Sequence, residues 1–260
     1  MTSDQQQEHA SSTGTASSSA VAVDPPKANA YDSIAEGYTA ENETNLLNAY
    51  YERPAILALA GGVAGRRILD AGCGSGPLFA ALRDRGATVS GFDASAGMLA
   101  LARRRLGDGA DLRQADLGAP LPYPDDTFDD VVASLVLHYL EDWGPALAEL
   151  RRVLKPGGRL IASVDHPFAV AAMHREAGRK IGYFGTTRWT EEWTLGGQSA
   201  LVSFWHRPLH AMVEAFTGAD FRITAISEPE PDPAARELFP EEIAEKPRFL
   251  SFLFFVLHAD

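Results

Sequence analysis

The sequence predicts an α/β protein, a doubly wound and mostly parallel seven-stranded sheet with helices on both faces. Three observations predict it. Short runs rich in Val, Ile and Leu alternate with helical stretches between residues 67 and 165, which is how a parallel sheet covered on both faces reads in sequence. The first of these runs ends in "ILDAGCGSGPL", a glycine turn that opens a helix. An open parallel sheet usually meets its ligand at such a turn. Finally, 260 residues, 45% of them hydrophobic, suffice for one such core with a small addition.

Residues 1–29 are a low-complexity tail with too little apolar surface to fold and are expected to be disordered. Residues 30–260 are expected to form one domain. Residues 31–59 read as two helices, with Pro54 tolerated in a first turn. Strands follow at 67–71, 88–93, 111–115, 128–134 and 159–165. Helices at 76–85, 96–106 and 143–153 separate them, Ser95 being the expected N-cap of the second and "KPGG" the turn that stops the third. The rhythm breaks after His166. Residues 167–205 carry Tyr183, Phe184, Trp189, Trp193 and Trp205 among glycines and threonines, and read as an insertion lying over the strand ends. A helix with Pro208 near its start and two last strands, "FRITAISEP" and "RFLSFLFFVLHA", read as a hairpin that finishes the sheet.

Glycines in a strand-to-helix turn let the backbone approach a ligand closely. A dinucleotide site wants G-x-G-x-x-G, with pyrophosphate on the helix N-terminus. Here Gly72, Gly74 and Gly76 are spaced G-x-G-x-G, and Pro77 stands where a third dinucleotide glycine would be. The alternative, a purely structural turn, stays open on the loop alone. Asp93, ending the second strand, can accept two ribose hydroxyls in either cofactor type. Asp116-Leu117 ends the third strand.

The run "LDAGCGSG", with Asp93, Asp116-Leu117, "LPYPDDTFDDVVAS" and "LKPGGRLIAS" in order behind it, resembles the class I S-adenosylmethionine-dependent methyltransferases over roughly residues 31–165. The resemblance implies a Rossmann-like sheet with one antiparallel strand, a helical N-terminal lid over residues 30–60, and an acceptor-side insertion at 167–205. It implies S-adenosylmethionine as cofactor. Asp70 and the backbone of Ala71, Gly72 and Gly74 would face its methionine end. Asp93, with Ala94 and Met98 beside it, would hold the ribose. Asp116 and Leu117 would frame the adenine, and Ser134 and Leu135 would line the methyl side. Tyr31 and Tyr38 match the helix that closes over the cofactor in that family, although as plain aromatics they serve equally well for helix packing.

Methyl transfer from a sulfonium needs positioning and desolvation, and a base only when the acceptor starts protonated. Strand C-termini face the ligand, so His138 and His166 are candidate bases, and His206 is a third. Each also has a plain packing role open to it. Trp189, Trp193 and Trp205, with Tyr31, His166 and His206, are the candidate acceptor contacts; the tryptophans form either a roof over an apolar acceptor or the insertion's own small core. The histidine spacing fits no compact metal motif, so no metal is expected. Cys73, the one cysteine, is expected to pack.

A net charge of −12 repels phosphate backbones, and no Asn-Pro-Pro-Tyr-type segment follows the fourth strand, so no nucleic-acid partner is expected. No apolar run is long enough to span a bilayer. The first residues lack the layout of a secretory signal, so the expected location is cytoplasmic. A homodimer is compatible with the sequence. The expected reaction moves a methyl group to O, N or C of a small, partly apolar metabolite. The alternatives are a protein or RNA methyltransferase, a nicotinamide-dependent dehydrogenase and a non-catalytic cofactor-binding module.

Overall fold

The computed structural model describes residues 30–179, 182–244 and 250–260; the expected tail, residues 1–29, lies outside them. Helix α1 (Ala30–Thr44) leads through a π-helical turn (Asn48–Glu52) into α2 (Arg53–Ala60), where Pro54 sits in the first turn. The alternation then follows: β1 (Arg67–Ala71), α3 (Pro77–Asp84), β2 (Thr88–Asp93), α4 (Ala96–Leu106), β3 (Asp111–Gln114), β4 (Phe128–Ser134), a 3-10 turn (Leu137–Tyr139), α5 (Gly144–Val153) and β5 (Leu154–Asp165). Ser95 caps α4 as expected, its Oγ accepting from the Met98 N–H at 3.0 Å.

The insertion is more regular than its composition suggested. It comprises α6 (Pro167–Glu176) and a two-stranded antiparallel ribbon of β6 (Thr187–Leu195) and β7 (Gln198–His206). Beyond it come α7 (Leu209–Gly218), β8 (Phe221–Ser227), the short helices α8 (Ala235–Leu238) and α9 (Pro240–Ala244), and β9 (Phe252–Ala259).

The main sheet has seven strands in the order β3-β2-β1-β4-β5-β9-β8, and β9 alone runs antiparallel to its neighbours. The seven-stranded, mostly parallel sheet is therefore borne out. The last two strands pair antiparallel and finish the sheet as expected, with β9 between β5 and β8 and β8 at the edge. One detail differs from expectation. The "KPGG" segment lies within β5 as a bulge: Phe128 pairs with Leu154, and the next registered pair is Asp130 with Arg159. Gly157, at φ 74°, takes up the extra length.

Both faces of the sheet are buried, and the strands divide their side chains between them. Leu69, Val131 and Leu160 face a core containing Trp143, Leu147 and Phe216; Ile68, Val132 and Ile161 face one containing Ile56, Leu78 and Phe79. Asp130 is fully buried and carries both Arg66 and Arg159. These pairs satisfy a charge that burial would otherwise make costly.

Helix α1 is tied to α4 and to the ribbon. Asp32 accepts from the Ser95 hydroxyl and from the Gly97 N–H, adding negative charge at the start of α4, where the helix dipole favours it. Arg104 and Arg105 pair with Glu36 and Glu43. On the other side Gly37 meets the ribbon turn so closely that a Cβ there would lie 2.5 Å from the Leu195 carbonyl carbon. Gly37→Ala is expected to push the ribbon off α1. The clash, about 1–3 kcal/mol, is offset by the better helix propensity of alanine, roughly 1 kcal/mol. Faster amide exchange along β6 and β7, with the main sheet unchanged, would show it; unchanged exchange would refute the contact.

Candidate active site

The ends of β1, β2 and β4 border a cavity of about 780 Å³. Its floor is the turn after β1. Gly72, Gly74 and Gly76 all have positive φ, 75°, 54° and 83°, which is why glycine is needed at each. The turn is pinned from below: Gly72 and Cys73 both donate to the Phe92 carbonyl, each at 2.9 Å. Nothing lies within 4 Å of where a Gly74 Cβ would stand, so the backbone there is open. Cys73 packs, as expected. Burial, with Asp70 and Asp93 nearby, holds its thiol well above the ordinary range, and it stays protonated.

Asp93 braces this turn. One carboxylate oxygen accepts from the Gly74 N–H and the other from the Ser95 N–H, both at 2.9 Å. Burial raises its pKa, and those bonds oppose the rise. Asp116 lines the cavity from an exposed position, Oδ1 accepting from Gly118 N–H at 2.8 Å, with the buried Leu117 beside it. Asp70 is 1% exposed and its Oδ2 is buried without a hydrogen-bond partner. Burial first, then Glu52 and Asp93, push its carboxyl up to about 8. Leu135, at the end of β4, has φ 48°, a strained conformation for a leucine. Its N–H is held by Ser163.

Of the thirteen residues expected around the cofactor, twelve line this cavity: Tyr31, Tyr38, Asp70, Gly72, Gly74, Asp93, Ala94, Met98, Asp116, Leu117, Ser134 and Leu135. Ala71 is fully buried beneath it. The residues proposed for acceptor and catalysis behave differently. Trp205 lines the cavity, whereas Trp189 and Trp193 pack with Ile34, Val202 and Phe204 in the ribbon's own small core.

The three candidate bases stand behind the wall rather than in it. His166 caps α6, its Nδ1 accepting from the Phe168 N–H, which leaves Nε2 to donate to Glu228 at 2.8 Å. His206 uses Nε2 on the Tyr183 carbonyl at 2.8 Å. His138 is buried with Nδ1 3.2 Å from an Asp165 oxygen, a contact too poorly aligned for a hydrogen bond. Burial lowers its pKa against the pull of Asp165. A histidine at a strand end can cap or fill space as readily as it can catalyse, and sequence does not tell these roles apart.

Sequence reasoning missed the polar groups that the N-terminal helices bring. Glu52 is buried, and its Oε1 accepts from the Ser134 and Ser163 hydroxyls at 2.7 and 2.6 Å. Burial raises its pKa. The π-turn presents Asn48 and Glu52 to the cavity together, and Arg53 follows, its guanidinium held by Asn42. A π-turn of this kind recurs at functional sites. Glu52 could have been flagged as a charge within the apolar run "YYERPAILALA". Tyr139 was missed as well. It lines the cavity, and its hydroxyl bonds that of Tyr31.

The lining therefore carries five carboxylates, Glu52, Asp70, Asp93, Asp116 and Glu141, against two guanidiniums, Arg53 and Arg188. With the orphaned Asp70 oxygen and the open backbone at Gly74, this donor set fits a cationic nucleoside carrying an amino-acid arm.

An open α/β sheet with a cavity at this edge is the architecture of nucleoside-cofactor proteins, and comparison with known proteins narrows the class. A family described as a methyltransferase domain matches residues 69–162. The chain is 36% identical over 159 residues to the demethylmenaquinone methyltransferase of Thermobifida fusca, spanning 58% of this chain and 67% of that protein. It is 40% identical over 137 residues to that of Clavibacter sepedonicus, spanning 50% of this chain and 54% of that one. The chain thus spans little more than half the length of the first curated relatives it matches. The crystal structure of an S-adenosylmethionine-dependent methyltransferase from Mesorhizobium loti matches with a TM-score of 0.62 at 29% identity, covering 79% of this chain and 96% of that one. The chain belongs to the class I S-adenosylmethionine-dependent methyltransferases. Among the described residues no helix is long and apolar enough to cross a membrane, and no cluster of side chains could hold a metal ion.

Proposed function

We propose that this protein transfers a methyl group from S-adenosylmethionine to O, N or C of a small, partly apolar metabolite. The observation that carries the reading is the acid-lined cavity over the glycine turn, with a buried, unpartnered Asp70 oxygen at its floor. The names of the curated relatives, demethylmenaquinone methyltransferases, support an acceptor of small-molecule size. The cofactor supplies an electrophilic methyl group on a sulfonium.

The chain's own residues bind and orient. Asp93 accepts the ribose hydroxyls, and Asp116 with the Leu117 N–H frames the adenine. Asp70 and Glu52 hold the ammonium, while Asn48 and Arg53 face the carboxylate. Arg53 suits this role because its fork can meet a carboxylate with two bonds. Helix α1 and the ribbon act as the cover that keeps water out. A desolvated, aligned pair of reactants is the main thing such a transfer asks of a protein. The site is assigned without a histidine base and without a metal, and the protein is assigned to the cytoplasm.

Calorimetric titration with S-adenosylhomocysteine is expected to give one site per chain with a dissociation constant in the micromolar range, and NAD(H) no binding. Binding of NAD(H) instead would overturn the reading.

A further inference from the structure

Beside the residues expected to hold the cofactor, the cavity is lined by Tyr139, Glu141, Arg188 and Trp205. Tyr31 and Tyr139 line it with their hydroxyls hydrogen-bonded to each other. Tyr38 stands edge-on to Tyr31 and accepts from Asn42 Nδ2 at 3.3 Å. Two hydroxyls joined by one hydrogen bond retain one hydrogen to give outward. Burial raises the pKa of all three tyrosines, those of Tyr31 and Tyr139 well above the ordinary value, so they remain donors. Their rings are fixed: Tyr31 sits edge-on to Tyr38 and Tyr139 with centroids 5.0 and 5.9 Å away, and Tyr139 is wedged against His138 and Phe204 at 4.5 and 5.4 Å.

Arg188 also lines the cavity, across the ribbon from Trp205. Among the described residues it has no hydrogen-bond or ion-pair partner. Glu141, another lining carboxylate, is thus not within ion-pair distance of it. An exposed guanidinium without a partner among the described residues, paired across the ribbon with an indole and sharing the cavity with phenol hydroxyls, is chemistry for a flat ring bearing an anionic oxygen.

We propose that the acceptor is a small planar organic acid, its anionic oxygens received by Arg188 and by the spare hydroxyl hydrogen of the Tyr31–Tyr139 pair. The inference rests on the methyl-transfer reading and gives it a substrate class. An acceptor atom that arrives as an anion forms the bond to the methyl carbon as the carbon–sulfur bond breaks, and the electron pair stays on sulfur. No proton then has to be removed by the protein, which accounts for three histidines standing behind the wall. Tyr139 and Arg188 are acceptor-binding residues in this scheme, and Arg188 sets the preference for acids.

The test uses the full chain saturated with S-adenosylhomocysteine and titrated with matched pairs: 3- and 4-hydroxybenzoate and 4-hydroxycinnamate, each against its amide. The acids are expected to bind about tenfold or more tightly than their amides, as a charge-assisted pair requires. Arg188→Ala should abolish that ratio and Arg188→Lys retain part of it, with S-adenosylhomocysteine binding unchanged in both. Tyr139→Phe should weaken every acid several-fold and lower the acid-to-amide ratio, though less than Arg188→Ala does. Equal binding of acids and amides, an acid preference that survives Arg188→Ala, or no acid binding at all while S-adenosylhomocysteine binds would each overturn the substrate class. Failure of the wild-type chain to bind S-adenosylhomocysteine would instead overturn the methyltransferase reading beneath it.

Discussion

Gly72→Ala should cost the fold about 2–5 kcal/mol and abolish S-adenosylhomocysteine binding. Two independent penalties meet at this residue. Its φ is 75°, and placing a Cβ in that region costs roughly 1–2 kcal/mol. The new methyl would also stand 2.6 Å from Val136 Cγ2, and overpacking of this kind costs about 1–3 kcal/mol. Val136 cannot easily yield, because a β-branched side chain is stiff at χ1 and the preceding Leu135 is itself held at φ 48° by bonds to Ser163. The turn would give way instead, and with it the bonds from Gly72 and Cys73 to the Phe92 carbonyl. Denaturant melts would measure the loss. Adding Val136→Ala should recover the packing share and leave the strain. Gly74→Ala makes the contrast: φ is 54°, with nothing within 4 Å. Its fold should lose only about 1–2 kcal/mol, while the methyl enters the ligand's space and binding falls at least as far. A Gly72→Ala protein with wild-type stability would refute the contact geometry.

The same turn shows what sequence makes legible. Gly72, Gly74, Asp93 and Asp116 could be placed because their position is written in spacing: a strand end, a glycine with positive φ, an acid at the next strand end. Local backbone chemistry fixes each of them, and all four line one cavity. Glu52 was not legible in this way. Its role depends on Ser134 and Ser163, 82 and 111 residues away, and only folding brings the three together. The histidines, which do not line the cavity, were hard to place for the opposite reason. His166 stands in "DHPF" at a strand end, where a base could stand; it also precedes a proline that starts a helix, and that second pattern prevailed. In the ribbon, strict alternation along β6 sends Trp189 and Trp193 inward. Period-two patterning was present in "TRWTEEWTL", and reading it as a strand would have separated these two from Trp205. The place of β9 between β5 and β8 was hidden too, because an antiparallel strand buried on both faces and one at an edge can carry the same apolar run.

Asp70→Asn should stabilise the unliganded protein at pH 8 and weaken the cofactor, a trade that follows from one carboxyl group. In the unfolded chain this group ionises near 4; in the fold burial holds it protonated to about 8. A carboxyl whose pKa is raised on folding takes up a proton as the chain folds. Its contribution is neutral below pH 4 and increasingly unfavourable as pH rises to 8, at about 1.4 kcal/mol per unit. Glu52 and Asp93 are shifted in the same direction, so the wild-type protein should lose stability across that window. The amide variant should lose less, the difference being Asp70's share. A ligand ammonium beside the bare Oδ2 reverses the balance, because an opposite charge favours the ionised form. Binding at pH 7 should therefore release a proton, and the calorimetric enthalpy should differ between phosphate and Tris buffers. In Asp70→Asn that difference should shrink, and affinity should fall about 10- to 100-fold, the size of a lost charge-assisted hydrogen bond. An amide variant less stable than wild type at pH 8 would mean that the carboxyl is already ionised and partnered in the free protein. The strained Leu135 and the unpaired Asp70 would then have separate causes. If both predictions hold, the floor of the cavity stores unfavourable energy that a cationic ligand relieves, as expected where stability has been given up for binding.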